Sequence, residues 1–245
     1  MNQEEYYNNI DRVFRLPRVW SNRELKKIAH LFEGNVVNVS GWKDIDKEGG
    51  FYKDYFTSAS SYTITNYKRE AKGFQGLDNE IFLDLEADLT KELIGKFDTV
   101  FNHTVLEHIF EVRKAIKNLC LLTKDIVIVV VPFLQVMHGD YGDYWRFTPV
   151  TMEKLFEVNG MKMITCTFNS HRNASVYLFC VASKKPEKWK HITNKNSYYE
   201  DPVQSDNGFQ NWVGCHAIDN KVYMKSLNKV SIFQKLRKKL KNYVK

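Results

Sequence analysis

The chain has 245 residues, 43% of them hydrophobic, which leaves room for one sizeable core and excludes a fibre, a disulfide-stapled miniprotein and a disordered chain. Its formal charge of +7 is unevenly spread: residues 225–245 carry eight Lys and Arg and no acid, leaving 28 basic against 29 acidic side chains elsewhere. A nearly neutral body argues against a surface that reads nucleic-acid backbone, so a nucleic-acid partner is disfavoured.

The segment from Met1 to Ile10 has no basic stretch leading into an apolar run, so no secretory signal is expected and the cytoplasm is the expected compartment. Cys120, Cys166, Cys180 and Cys215 form no Cys-x-x-Cys pair, which fits a reducing compartment without zinc-binding thiolates. From Asn22 to Phe32, the apolar Leu25, Ile28, Ala29 and Phe32 recur at helical spacing behind a Ser21 or Asn22 suited to a cap. Strands are then predicted at Val36–Ser40, Tyr62–Asn66, Ile81–Leu83 and Thr99–Asn102. A fifth, Ile126–Val131, is apolar on both faces, as a parallel strand covered by helices requires. The longest apolar run, Ile126 to Leu134, has nine residues. A membrane-spanning helix needs roughly 20.

Leu106, Ile109, Phe110, Ile116, Leu119 and Cys120 make one face of an amphipathic crossover helix before that strand. Thr148-Pro149 opens another helix that stops at Asn159-Gly160, and strands near Met161–Phe168 and Ser175–Ser183 close the series as an antiparallel pair. The pattern predicts an α/β fold: a Rossmann-like, open, mostly parallel seven-stranded sheet with helices on both faces. It divides the chain into an N-terminal helical segment (1–35), the main domain (36–183), a covering extension (184–224) and a basic amphipathic tail (225–245). In the tail Val230, Phe233, Leu236, Leu240, Tyr243 and Val244 form a stripe opposed by Lys235, Lys238 and Lys239. Such a helix suits an anionic membrane surface, a partner protein or packing on the body. Oligomeric state is not legible.

The order of parts from Val36 to Ser183 resembles the class I S-adenosylmethionine-dependent methyltransferases, in particular small bacterial proteins of surface-glycan and natural-product type. The likeness rests on Val36-Val37-Asn38-Val39-Ser40-Gly41, Asp84-Leu85, Phe97-Asp98-Thr99-Val100, Val105-Leu106-Glu107-His108 and Asp143-Tyr144-Trp145-Arg146-Phe147-Thr148. It implies an enzyme that uses S-adenosyl-L-methionine, with Ser40, Gly41, Asn66, Asp84, Leu85, Asn102 and His103 around the cofactor. A small or glycan-type acceptor would be methylated on oxygen. Members of the family usually have a glycine-rich first turn and an acid at the end of the second strand; here these are Ser40-Gly41-Trp42 and Asn66. That departure keeps open a scaffold module that has lost the cofactor, and nucleic-acid methylation stands as a further alternative.

The residues themselves make the loop from Phe133 to Thr148 the densest site of chemistry. A neutral imidazole can take the proton of an attacking hydroxyl, which makes His138 the expected general base. Glu107, His108, Asp140, Asp143, Tyr144 and Arg146 are the expected substrate contacts, with Arg146 suited to clamp a phosphate or carboxylate. The competing arrangement is a structural lid in which Arg146 pairs with Asp143 or Asp140 and Trp145 fills core. No metal is expected, because His138 and Asp140 are only two ligands and no other cluster in the sequence completes them.

Overall fold

A computed structural model describes residues 10–68, 73–139, 142–192 and 213–214. The predicted basic tail, most of the covering extension and Asp140 lie outside these residues. Seven strands form one sheet: β1 (Gly34–Val39), β2 (Ala59–Asn66), β3 (Glu80–Phe82), β4 (Phe97–His103), β5 (Thr123–Leu134), β6 (Lys162–Phe168) and β7 (Val176–Ser183). Their order is β3-β2-β1-β4-β5-β7-β6, parallel except for β7, which runs antiparallel to both β5 and β6. The chain reverses direction across the sheet between β1 and β4, and that switch point is where open α/β sheets receive ligands.

Burial on both faces follows from the apolar run of β5. Val127, Val129 and Val131 enter one core with α2 (Val112–Leu122) and α3 (Pro149–Glu157), while Ile126, Ile128 and Val130 enter the other with α1 (Arg15–Ile28). Residues beyond Lys184 contribute to this second core: Trp189 packs on Phe32 with ring centroids 5.2 Å apart and donates its indole N–H to Asp125 at 3.0 Å. Cys166 and Cys180 face each other across β6 and β7 as buried free thiols, Sγ to Sγ 3.5 Å.

The first helix begins seven residues before the expected Asn22. Asp11 accepts the backbone N–H groups of Val13, Phe14 and Arg15, each at 3.0 Å, and Pro17 falls in the first turn, where its missing donor costs nothing. Ser21 and Asn22 are therefore not caps; both are buried in the middle of the helix. The expected crossover helix is split. A 3-10 turn covers Leu106–His108, and α2 starts only at Val112. At α3 the predicted start holds, with Thr148 Oγ1 accepting from the Thr151 N–H at 3.1 Å and Pro149 next. Thr148→Ala removes that acceptor and is expected to lower stability by about 1 kcal/mol, read from urea unfolding midpoints.

Candidate active site

The carboxyl ends of β1, β2, β4 and β5 form one rim of the sheet. After β1 the backbone turns through three non-glycine residues with positive φ: Ser40 (58°), Trp42 (50°) and Asp44 (61°). Asn66 at the end of β2 holds this turn from both sides. Its Oδ1 accepts from the Trp42 N–H at 2.7 Å and its Nδ2 donates to the Trp42 carbonyl at 3.1 Å and to Glu80 at 2.5 Å. Ser40 N–H reaches Thr65 Oγ1 at 3.3 Å and Gly41 N–H reaches the Thr65 carbonyl at 3.2 Å. A side chain at Gly41 would place its Cβ 2.5 Å from Asn38 Nδ2, so glycine is required here by the close approach of Asn38.

Asn38 in turn donates to Asp44 at 2.7 Å, and Asp44 also accepts from Tyr62 at 2.6 Å and from Lys53 N–H at 2.9 Å. Burial still raises the Asp44 carboxyl above its ordinary range. This buried acid escaped the sequence reading because nothing in its local pattern separates it from a loop residue. The amide of Asn66 is thus engaged with the turn and with Glu80. Asn66→Asp would set a carboxylate against Glu80, whose other oxygen already accepts from Gln75, Gly76 and Leu77 N–H groups. The expected result is a loss of about 1–2 kcal/mol in thermal or urea unfolding, not a gain in ligand affinity.

Asp84 accepts from the Glu86 N–H at 2.8 Å, and the Leu85 carbonyl accepts from Asn118 of α2 at 2.9 Å. Beside the switch point, Asn102 is fully buried and donates to the Val39 carbonyl at 3.0 Å, while its Oδ1 has no hydrogen-bond partner among the described residues. His103 is packed under α1. Its Nε2 lies 2.8 Å from Ser21 Oγ, whose own proton goes to the Arg18 carbonyl, so Nε2 donates and Nδ1 accepts from Thr104. Burial, with Arg18 adding to it, pushes the imidazole down to about 3, which keeps it neutral.

The two motif segments of the sequence meet in space. The Glu107 carbonyl accepts from Tyr144 N–H at 2.8 Å and Trp145 N–H at 3.3 Å; His108 Nδ1 donates to the Gly142 carbonyl at 2.5 Å; and Trp145 Nε1 donates to the Ile109 carbonyl at 3.0 Å. Arg146 is turned inward. It pairs with both oxygens of Asp143 at 2.5 and 2.6 Å and donates to the carbonyls of Gln135, Val136 and Trp145. Asp143, pulled down to about 2 by that guanidinium, also accepts the His138 backbone N–H at 2.7 Å. In this state Arg146 holds the loop together, with the donors expected to clamp a substrate anion satisfied internally. Trp145 does not fill core as expected; it is 38% exposed beside Tyr144 and Phe110, because its indole N–H is taken at the surface.

Inside this frame lie Glu107, His108 and His138. Glu107 is 0% exposed and neither carboxylate oxygen has a hydrogen-bond partner among the described residues. Burial raises its carboxyl to about 7. His108 Nε2 sits 3.8 Å from Glu107 Oε1, the His108 and His138 rings are 5.2 Å apart, and His138 Nε2 is buried without a hydrogen-bond partner among the described residues. Arg18 of α1 completes the surroundings, bonding to Tyr177 and adding a positive charge that acts on Glu107 and His103. Sequence reasoning passed over Arg18, although its spacing to Ser21 and Asn22 puts a polar strip on the buried side of α1.

No family model and no curated protein matches the sequence. Solved structures do match in shape. A Rhodobacter sphaeroides protein provisionally assigned as a Zn-dependent alcohol dehydrogenase aligns with TM-score 0.51 at 16% identity, over 70% of this chain and 92% of its own. Magnesium protoporphyrin IX methyltransferase from Synechocystis PCC 6803, with bound S-adenosylhomocysteine, aligns with TM-score 0.46 at 14% identity, over 74% of this chain and 92% of its own. An S-adenosylmethionine-dependent methyltransferase from Clostridium acetobutylicum aligns with TM-score 0.48 at 9% identity, over 73% and 94%. The sheet order, with antiparallel β7 inserted between β5 and β6, decides the architecture. This is an open, Rossmann-like α/β fold. Within that fold the Ser40–Asp44 turn and Asn102 flank the switch point, and the Glu107–His108–His138 cluster stands at the neighbouring end of β4 and β5. Among the described residues no helix is long and apolar enough to cross a membrane.

Proposed function

We propose that the chain is an S-adenosylmethionine-dependent methyltransferase acting on an oxygen of a small or glycan-type acceptor. The observation that carries this reading is the placement of an imidazole- and carboxylate-bearing cluster beside the β1/β4 switch point of an open, Rossmann-like fold. Ser40, Gly41 and Asn102 would hold the cofactor, with Asp84, Leu85 and His103 bordering its site. When bound, S-adenosylmethionine would supply an electrophilic methyl group to the acceptor oxygen, and the Glu107–His108–His138 cluster would take the proton that this oxygen loses. The exposed rings of Phe110, Tyr144 and Trp145 offer faces for a sugar at the mouth of that cluster.

Thermal unfolding with S-adenosylmethionine and S-adenosylhomocysteine tests the reading, since a ligand at 100 times its dissociation constant stabilises by about 2.7 kcal/mol. A melting temperature unmoved by millimolar ligand, with no heat in calorimetry, overturns it. One specific observation favours a second reading, a module of the same fold without cofactor: Asn66, the position that meets the ribose by resemblance, is engaged with Trp42 and Glu80. The same titration separates the two readings.

The basic stripe in residues 225–245 supports a place at the inner, anionic face of a membrane. Flotation with anionic vesicles that is unaffected by deleting residues 225–245 would remove this part of the reading.

A further inference from the structure

We propose that Glu107, His108 and His138 form a binding site for one divalent transition-metal ion of the zinc class. One ligand atom from each lies within 4.8 Å of the other two. The sequence pairs His138 with Asp140 and finds nothing to complete them. The fold instead brings His138 back across thirty residues of chain onto Glu107 and His108.

The protons on the two rings are set by what surrounds them. His108 Nδ1 faces the Gly142 carbonyl at 2.5 Å, which can only accept, so the proton is on Nδ1 and the Nε2 lone pair faces Glu107. His138 Nδ1 faces Asp143 Oδ2 at 3.5 Å and the Val136 carbonyl at 3.4 Å, again acceptors only, which leaves the lone pair on the buried Nε2 without a hydrogen-bond partner among the described residues. An imidazole whose far nitrogen is held by a carbonyl or a carboxylate is the arrangement that orients metal-binding histidines. Beside the rings is the Glu107 carboxylate, 0% exposed and with neither oxygen hydrogen-bonded among the described residues. A buried carboxylate in that condition costs several kcal/mol unless it is protonated or meets a cation.

Two nitrogens and one carboxylate oxygen are the ligand set of a zinc ion with one position open. Tetrahedral bonds of about 2.0–2.1 Å place ligand atoms about 3.3 Å apart. His108 Nε2 and Glu107 Oε1 at 3.8 Å are near that spacing, and His138, whose ligand atom lies within 4.8 Å of both, would move in by up to about 1.5 Å. The surrounding charges narrow the choice of ion. Arg146 is neutralised by Asp143, but Arg18 adds a positive charge that acts on Glu107, leaving one carboxylate against a cation already present. A hard ion such as magnesium, held by charge and oxygen, is poorly served; an ion that bonds imidazole nitrogen is well served.

The test uses the full chain, stripped with a chelator and returned to chelator-free buffer. Zn2+ is titrated against a chromophoric competitor, and Co2+ is added separately for its visible spectrum. One equivalent of Zn2+ is expected, together with a tetrahedral cobalt spectrum lacking a thiolate charge-transfer band. His138→Ala and Glu107→Gln are expected to weaken Zn2+ at least 100-fold, and Asp143→Asn about 10-fold through His138. Far-ultraviolet circular dichroism in chelator shows which variants fold. Should Glu107→Gln fail to fold, His138→Ala and His108→Ala decide the matter. No binding at micromolar Zn2+, or affinity unchanged by both histidine variants, overturns the proposal. Metal bound without any effect of S-adenosylmethionine on melting would defeat the methyl-transfer reading alone.

Discussion

Asp143→Ala is expected to lower stability by about 2–3 kcal/mol and to loosen the segment from Gln135 to Phe147 as a unit. The carboxylate is 2% exposed and accepts both guanidinium donors of Arg146 and the His138 backbone N–H. Its removal leaves a charge and an amide without acceptors. Because Arg146 is itself 26% exposed it can turn to water, which keeps the loss below the roughly 3–5 kcal/mol of a fully buried pair. A double-mutant cycle gives the sharper measurement. Arg146→Ala alone should cost a similar amount, and the double variant should cost clearly less than the two together, with a coupling of about 1–2 kcal/mol. Additive effects would show that Asp143 and Arg146 do not hold the loop through each other.

The second large effect concerns acid. His103 is held neutral with its pKa pushed from 6.5 to about 3, so below pH 6.5 the unfolded chain binds a proton that the folded chain refuses. The stability contributed by the buried neutral ring is therefore fully present above pH 6.5 and declines as the pH falls toward 3. Two pH units below 6.5 the decline amounts to roughly 2.5 kcal/mol. His103→Gln keeps a donor for Ser21 and has nothing to titrate. The difference in unfolding free energy between the two proteins should shrink by that amount from neutral pH to two units below 6.5, whatever the variant's offset at pH 7. A constant difference across that range would mean that His103 takes up its proton while folded.

The predicted strands and helices were legible where burial imposes period and composition. β5 announces itself because both its faces are covered, and α3 because Thr148-Pro149 combines a cap with a preset φ. α1 was misplaced for a physical reason. Its N-terminal donors are met by Asp11 from outside the helical pattern, and the polar Ser21 and Asn22 look like an end when they in fact serve the inner face. At the site, the two motif segments stood out by their residue types, but not their mutual stitching. That Glu107 should lie against His138, or that Arg146 should spend its donors on carbonyls of its own loop, depends on contacts between distant parts of the chain, for which local pattern carries no signal. Arg18 is the same case: a helix residue whose meaning comes from the strand ends it covers.

The turn after β1 has a wider bearing. Ser40, Trp42 and Asp44 occupy left-handed conformations that their side chains disfavour, so the turn has no intrinsic reason to persist and is imposed by Thr65 and Asn66. Asn66 is braced by Glu80, the first residue of β3, a strand of three residues at the open edge of the sheet. Edge strands this short open at low free-energy cost. The backbone beside the switch point is thereby latched to the sheet's weakest margin, and amide exchange at Trp42 should follow the fraying of β3 rather than the global unfolding of the domain.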